Sequence, residues 1–484
     1  MITRLEIDGF KSLRELAVDL EPLTVFIGPN SAGKSNLLDA LALLSRLSSM
    51  SIEDAFKQGR GRAIDQFTRR GGEAGTTIRF AVEVLTPGPA GEKEERVELP
   101  NRYRYELTIE RSALPSGVER LSVSHERLSI IERAEDGWID LHPGFAERAH
   151  HHVGPLEILK QVAVEAKKRF LDMHSVLAPE NLSYQVPLAY TVLASDHKNL
   201  GKIGRDIVFP LELSDKIEDF RDKLGLPSFD ATVEHLVNEA LKNQRVDDAL
   251  DKVVVRNELD LVGGELSSYR LVHLDSARLR EPSERIGAGT LAPDASNLPT
   301  VLANLPGPRL GEIRADIVSL VPGVSSFDIV PEGDSFRIDF EFSGGERLPA
   351  RLVSDGTLRI LALLTALQVE PRPVMIGVEE PENGVYPGRL RKLLEYMQEI
   401  AAQGDEDGAS PTQLVLTTHS PVVLAALHSR PELLRFVDLV RRDGQLVTRA
   451  RTVSPTLDPD RARSSIALRE IDELLHAADS EIGK

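Results

Sequence analysis

The chain has 484 residues, of which 41% are hydrophobic and 28% charged, and its net charge is −18. That length exceeds one ordinary hydrophobic core, so two or three lobes are expected, and the acidic balance excludes a global attraction to nucleic acid. The lack of cysteine excludes disulfides and thiolate metal sites, and no window approaches the roughly 18 apolar residues of a membrane span, so the expected location is cytoplasmic.

The opening "MITRLEIDGF" alternates apolar and polar residues like a strand and has no apolar core of a signal peptide. "TVFI", Thr24 to Ile27, is β-branched and aromatic and reads as a short buried strand. "SNLLDALALLSRL" then carries apolar residues at helical spacing. Between them lie Gly28, Pro29, Asn30, Ser31, Ala32, Gly33, Lys34 and Ser35, followed by Asn36. This stretch matches G-x-x-x-x-G-K-[ST] in a strand–loop–helix context. Its glycines let the backbone curl, so that several N–H groups point into one anion nest. The helix that follows presents its positive end to the same anion. Lys34 would reach the β- and γ-phosphates of ATP, and the Ser35 hydroxyl would ligate Mg²⁺.

"GRGRAIDQFTRRGG" gathers Arg60, Arg62, Arg69 and Arg70 in an otherwise acidic chain. They either contact a phosphodiester backbone or are simply solvated. Residues 76 to 130 alternate as strands and predict an antiparallel β-lobe beside the phosphate loop. From about 150 to 260 the pattern is helical but broken by proline and glycine. No heptad is sustained, so a compact helical insertion is expected rather than a long coiled coil. His150 to His152 have no further ligand at metal spacing and read as an exposed loop. Strand pattern resumes at "SYRLVHLDSARL" and again from about residue 325.

"LVSDGTLRILALLTAL" is a turn running into an apolar helix, with Ser354 as N-cap and Gly356 allowing close backbone approach. Its positive end has no phosphate of its own, because the first loop already occupies the near side. It would address a nucleotide held by a second subunit. "RPVMIGVEEPENGVYP" is an apolar strand ending in Glu379 and Glu380, which places carboxylates at a sheet's C-terminal edge. Successive strand residues face opposite ways. Glu379 is thus the candidate for the magnesium shell, and Glu380 for polarising the attacking water. "LVLTT" is another buried strand, ending in His419, which is placed to sense the γ-phosphate.

These four stretches, in this order, resemble the ATP-binding-cassette heads of the SMC and RecF type. They look closest to the ATPases grouped with the overcoming-lysogenization-defect (OLD) proteins, whose E-E-P-E-x-x-x-x-P is similar to "VEEPENGVYP". The resemblance implies that Gly28, Gly33, Lys34 and Ser35 form Walker A. It further implies that Ser354, Asp355, Gly356 and Thr357 form the signature turn, that Glu380 is the catalytic glutamate and that His419 is the switch histidine. Glu379 stands where many such ATPases have Asp, and Tyr386 where OLD-like relatives have His. Gln66 is the one suggestion for the Q-loop glutamine. The resemblance also implies two heads sandwiching two ATP molecules, each closed by the other subunit's signature turn.

The expected architecture is α/β: an ABC-ATPase head with a mixed, mainly parallel sheet, flanking helices, an antiparallel β-lobe and a helical insertion. Its divisions are 1–130 and 266–460 for the two halves of the head, 131–265 for the insertion, and 461–484 for a C-terminal helix. The residues after His419 look too few for the nuclease domain that OLD nucleases carry. Two functions are carried forward. One is a Mg²⁺-dependent ATPase whose head dimer acts on DNA in repair or anti-phage defence. The other is an ATP-gated scaffold that holds a separately encoded nuclease or toxin. Membrane transport is disfavoured.

Overall fold

The computed structural model describes residues 1–70, 73–86, 101–113, 116–149, 262–287, 289–370, 372–402, 412–454, 465–471 and 473–474. The helical pattern of 150 to 260, His150 to His152 and most of 461–484 lie outside the described residues. The chain forms two compact units, one of residues 1–45, 59–79 and 268–484, the other of residues 46–58 and 80–267.

The first unit is built on a seven-stranded sheet. From one edge, its strands are Ser465–Ala467, Gln445–Ser454, Leu434–Arg442, Leu23–Ile27, Gln413–Thr418, Met375–Glu379 and Tyr269–Val272. The last five are mutually parallel. Gln445–Ser454 returns antiparallel as a hairpin on Leu434–Arg442. The strands Leu23–Ile27, Met375–Glu379 and Gln413–Thr418 are buried at every residue. Their burial at every position, on largely apolar sequences, is what a sheet covered on both faces requires. On one face Leu23, Val25, Ile27, Ile376, Val378, Leu414 and Leu416 share a core with Leu361 of the helix Asp355–Gln368 and Leu394 of the helix Pro387–Ala402.

The same core takes in Phe327 and Phe340 from a small antiparallel sheet, formed by Val324–Glu332, Ser335–Phe342 and two short strands beside them. This sheet leads through a single 3₁₀ turn, Ala350–Leu352, into the helix that begins at Asp355. At the N-terminus, Ile2–Asp8 pairs antiparallel with Leu16–Asp19. The Gln413 side chain ties this hairpin to the main sheet. Its oxygen accepts from the Ile2 N–H at 2.9 Å, and its amide donates to the carbonyls of Ile2 at 2.7 Å and Glu21 at 3.0 Å. A buried, polar, fully bonded side chain of this kind fixes one arrangement, because any other leaves its donors unpaired.

In the second unit Arg102–Ala113 and Glu119–Ile130 pair antiparallel over their whole length, the hairpin that the alternation of residues 76 to 130 predicts. Arg102 is fully buried and forks onto Asp136 at 2.6 and 2.8 Å. Asp136 also caps the helix Gly137–Leu141 through the Ile139 N–H. Among the described residues no helix is long and apolar enough to cross a membrane.

The start of the helix Asp355–Gln368 packs against the loop that follows the strand Met375–Glu379. A Cβ on Gly356 would lie 2.3 Å from the Gly384 carbonyl oxygen, a backbone atom that cannot swing aside. Alanine is the better helix former by about 1 kcal/mol, so Gly356→Ala separates propensity from packing. The substitution is expected to lower stability by about 1–3 kcal/mol, read as a lower urea midpoint; an unchanged or higher midpoint contradicts the close approach.

Candidate functional site

The loop Gly28–Ser35 leaves its strand at the C-terminal edge of the parallel sheet. The Gly28 N–H still reaches the neighbouring strand, donating to the Thr418 carbonyl at 3.2 Å. Beyond it the backbone enters left-handed conformations at Ser31 (φ 64°) and Gly33 (φ +96°). Two hydroxyls hold this shape. Thr448 donates to the Ala32 carbonyl at 3.0 Å and lies 2.6 Å from the Ser12 hydroxyl. Asn36 uses its amide on Ser12 at 2.7 Å and so braces the loop. A Cβ on Gly33 would fall 2.0 Å from the Thr448 hydroxyl, so only glycine fits there.

Lys34 is buried and folds back on the loop, donating to the carbonyls of Gly28 at 2.7 Å and Pro29 at 2.8 Å. Burial lowers its pKa to about 8, against the pull of the nearby negative charges of Glu380 and Glu382. Asn30, Ser31 and Ser35 are exposed on the same loop.

Glu379 is the last residue of its strand and is buried. Burial alone would raise its pKa. Hydrogen bonds from Arg60 and Ser35, with the charges of Arg60 and His273, outweigh burial and hold the carboxyl below its ordinary range. Arg60 meets it as a fork, at 3.0 and 2.6 Å, and also lies 3.4 Å from Asp39. Asp39 in turn pairs with Lys11 at 2.6 Å. Arg60 turns into the site, while Arg62 and Arg69 pair with Asp65 at 2.9 and 2.7 Å.

Glu380 lies beyond the strand, in a left-handed turn (φ 46°). The turn, rather than the strand alternation expected from sequence, separates it from Glu379. Its N–H donates to the Thr417 carbonyl at 2.9 Å, which fixes the turn on the adjacent strand. Asn383 donates to one carboxylate oxygen at 2.7 Å, and His419 Nδ1 lies 3.2 Å from the other. A third acid, Glu382, is also present. It is mostly buried, and burial pushes its carboxyl up despite hydrogen bonds from Thr418 and from the His419 N–H. Sequence reasoning passed over Glu382, although it is the second acid of the E-P-E stretch. It also passed over His273, which sits just past a strand end, and Thr448, for which no local signal exists.

Ser354 caps the helix Asp355–Gln368 by accepting from the Thr357 N–H at 3.4 Å, and its hydroxyl lies 2.8 Å from that of Thr357. Arg280 fixes the approach to this turn. It pairs with Asp355 and donates to the carbonyls of Arg351 at 2.8 Å and Val353 at 2.9 Å. Ser354 is exposed, as is the nearby Leu352, and Tyr386 is 71% exposed. Gly356 faces the Gly384 carbonyl. Among the described residues no hydrogen bond or ion pair joins this turn to the loop Gly28–Ser35. The Gln66 side chain is buried against Gly59.

Loop, acids and histidine therefore share one sheet edge. The exposed loop offers backbone donors for a phosphate. The Ser35 hydroxyl is among the groups that lower the Glu379 carboxyl, and two hard oxygen donors at one sheet edge suit Mg²⁺. The chain matches the family model described as "AAA domain, putative AbiEii toxin, Type IV TA system" over residues 23–425. The DNA replication and repair protein RecF of Acidothermus cellulolyticus is 30% identical over 158 residues, 31% of this chain and 41% of that protein. RecF of Beutenbergia cavernae is 23% identical over 324 residues, 63% of this chain and 75% of that protein. The chain thus spans less than half of the first relative. An Smc head domain with a coiled coil and joint from Pyrococcus yayanosii superimposes with a TM-score of 0.42 at 15% identity, over 99% of both chains. An Smc head domain from Pyrococcus furiosus does so with 0.39 at 14%, over 93% of this chain and 96% of that one. The chain belongs to this AAA-domain family.

Proposed function

We propose that the chain binds ATP with Mg²⁺ at the loop Gly28–Ser35 and hydrolyses it when two copies close on each other. One observation carries this reading: the paired strand ends bring Lys34, Ser35, Glu379, Glu380 and His419 to one sheet edge. Backbone N–H groups of the loop and the N-terminus of the helix Lys34–Leu47 would receive the phosphates. Lys34 would exchange its contacts with loop carbonyls for phosphate oxygens. Ser35 and Glu379 would hold the Mg²⁺, which when bound neutralises charge on the phosphates. Glu380 would accept a hydrogen bond, and during hydrolysis the proton, from the attacking water, and His419 Nδ1 would orient that carboxylate.

The exposed Ser354 turn heads a helix of 14 residues. Its free N-terminal end, with no phosphate of its own, would close on ATP held by a second copy. ATP would favour the closed pair only through contacts made in that state. The RecF relatives, DNA replication and repair proteins by name, support work on DNA. The toxin wording of the family description supports the second reading, an ATP-gated scaffold for a separately encoded nuclease or toxin. Duplex DNA raising turnover several-fold favours the first reading; indifference to DNA together with co-purification of such an effector favours the second.

Three outcomes are expected. Lys34→Ala abolishes the thermal shift produced by Mg-ATP; an unchanged shift removes the phosphate-loop assignment. Glu380→Gln still binds ATP, loses turnover by roughly a hundredfold or more, and accumulates as dimer in light scattering; normal hydrolysis places the base elsewhere. The third concerns pH. Lys34 must be charged to hold phosphate, yet in the free protein it loses its proton around pH 8. Affinity for Mg-ATP is therefore expected to be level up to that pH and to fall above it by up to about tenfold per unit. A titration that stays flat to pH 9.5 contradicts this.

A further inference from the structure

Two acids and one histidine suffice for the reading above, yet the same turn carries a third carboxylate. Glu382 Oε1 accepts a hydrogen bond from the Thr418 hydroxyl at 2.5 Å and another from the His419 N–H at 3.2 Å. The Thr418 hydroxyl accepts in turn from the Ser420 N–H at 3.0 Å. Three consecutive residues leaving the strand Gln413–Thr418 are thus tied, directly or through one hydroxyl, to a single oxygen. Glu382 is itself fixed, because its carbonyl accepts from the Val385 N–H at 2.9 Å, within the turn that Glu380 opens. The turn is therefore fastened to the neighbouring strand at two points. One is the Glu380 N–H on Thr417; the other is the Glu382 carboxylate on Thr418 and His419.

Between these fastenings sits the imidazole. His419 Nδ1 lies 3.2 Å from Glu380 Oε1 and 3.7 Å from Glu382 Oε1. The Glu382 side chain is only 9% exposed, and among the described residues its Oε2 is enclosed without a hydrogen-bond partner. Holding an acid in this way costs stability, since a buried carboxylate with one unused oxygen is worse for folding than a neutral residue. A turn that served the fold alone would not need it.

We propose that Glu382 is a positioning residue of the reaction: it clamps the backbone of His419 so that the imidazole stays seated on Glu380. This rests on the reading of Glu380 and His419 as the pair that handles the attacking water. The clamp needs an acceptor at Oε1 and needs no negative charge. Glutamine can therefore replace Glu382, and alanine cannot.

The test compares Glu382→Ala, Glu382→Gln and Thr418→Val with wild type in the full chain. Turnover of Mg-ATP and its KM are measured, and the ¹⁵N shifts of the His419 ring are followed, with His419→Asn identifying the signal. Glu382→Ala is expected to lower kcat by roughly 10²-fold with KM nearly unchanged, and to move the His419 signal. Thr418→Val changes the same quantities in the same direction by less, and serves if the alanine variant folds poorly. Glu382→Gln keeps most of kcat and leaves the His419 signal in place. A glutamine variant as impaired as alanine overturns the proposal, since charge rather than position would then matter. An alanine variant with wild-type kcat, or with an unmoved His419 signal, overturns it as well. If wild type shows no turnover, the ATPase reading fails by itself, and the ring signals still decide whether Glu382 positions His419.

Discussion

The chemistry of this molecule depends on the register in which three parallel strands pair. Ile27 stands opposite Thr418, and Thr417 opposite Glu379. The first of these segments lies hundreds of positions before the other two, yet each of the residues is the last or next to last of its strand. The three exits therefore sit side by side, and Gly28, Glu380 and His419 emerge at one edge. Two backbone hydrogen bonds, Gly28 N–H to Thr418 and Glu380 N–H to Thr417, carry the pairing past the strands into the loops. A slip of one residue would send every side chain of a strand to the opposite face. It would bury the acids among Leu414 and Leu416, or point them away from the loop. The uniform burial of these strands makes such a slip prohibitive, and in this sense the hydrophobic core sets the geometry of the site.

Charge at this edge is balanced within the chain. Glu379 is held by Arg60, His273 and Ser35, Asp39 by Lys11 and Arg60, and Glu380 by Asn383 and His419. Burial makes Glu379 and Lys34 expensive to keep charged, and each is compensated by specific partners rather than by water. The turn at Ser354 differs. Ser354 is exposed and its hydroxyl serves only its own helix, while Arg280 and the Gly356–Gly384 contact hold the turn rigidly in place. A rigid, exposed helix start beside Tyr386 and Leu352 is what closure onto a second copy would use.

Much of this was legible in the sequence, for local reasons. The loop Gly28–Ser35 is written in consecutive residues, because an anion nest needs small residues, a lysine and a hydroxyl at fixed spacing. The three buried strands show as largely apolar runs, and Ser354 shows as an N-cap before an apolar helix. What was not legible depends on residues far apart. Thr448 braces the loop from 416 positions away, on Ala32, and nothing in "QLVTRARTVS" announces it. Arg60 read as a surface arginine because its partner Glu379 is 319 positions distant. Glu380 read as a strand residue, since alternation cannot show where a strand ends and a left-handed turn begins. Glu382 lay in plain sight, but its acceptor role depends on which strand lies beside it.

The central claim is that one copy's loop Gly28–Ser35 and another copy's Ser354 turn enclose the same triphosphate. The absence of cysteine allows the most direct test. In a Glu380→Gln background, Asn30→Cys and Ser354→Cys are introduced singly into differently tagged chains, mixed, and treated with a short bis-maleimide. The account predicts crosslinking between the two tagged chains that requires Mg-ATP and disappears with ADP. Crosslinking that ignores nucleotide, or its complete absence in the presence of Mg-ATP, would contradict it.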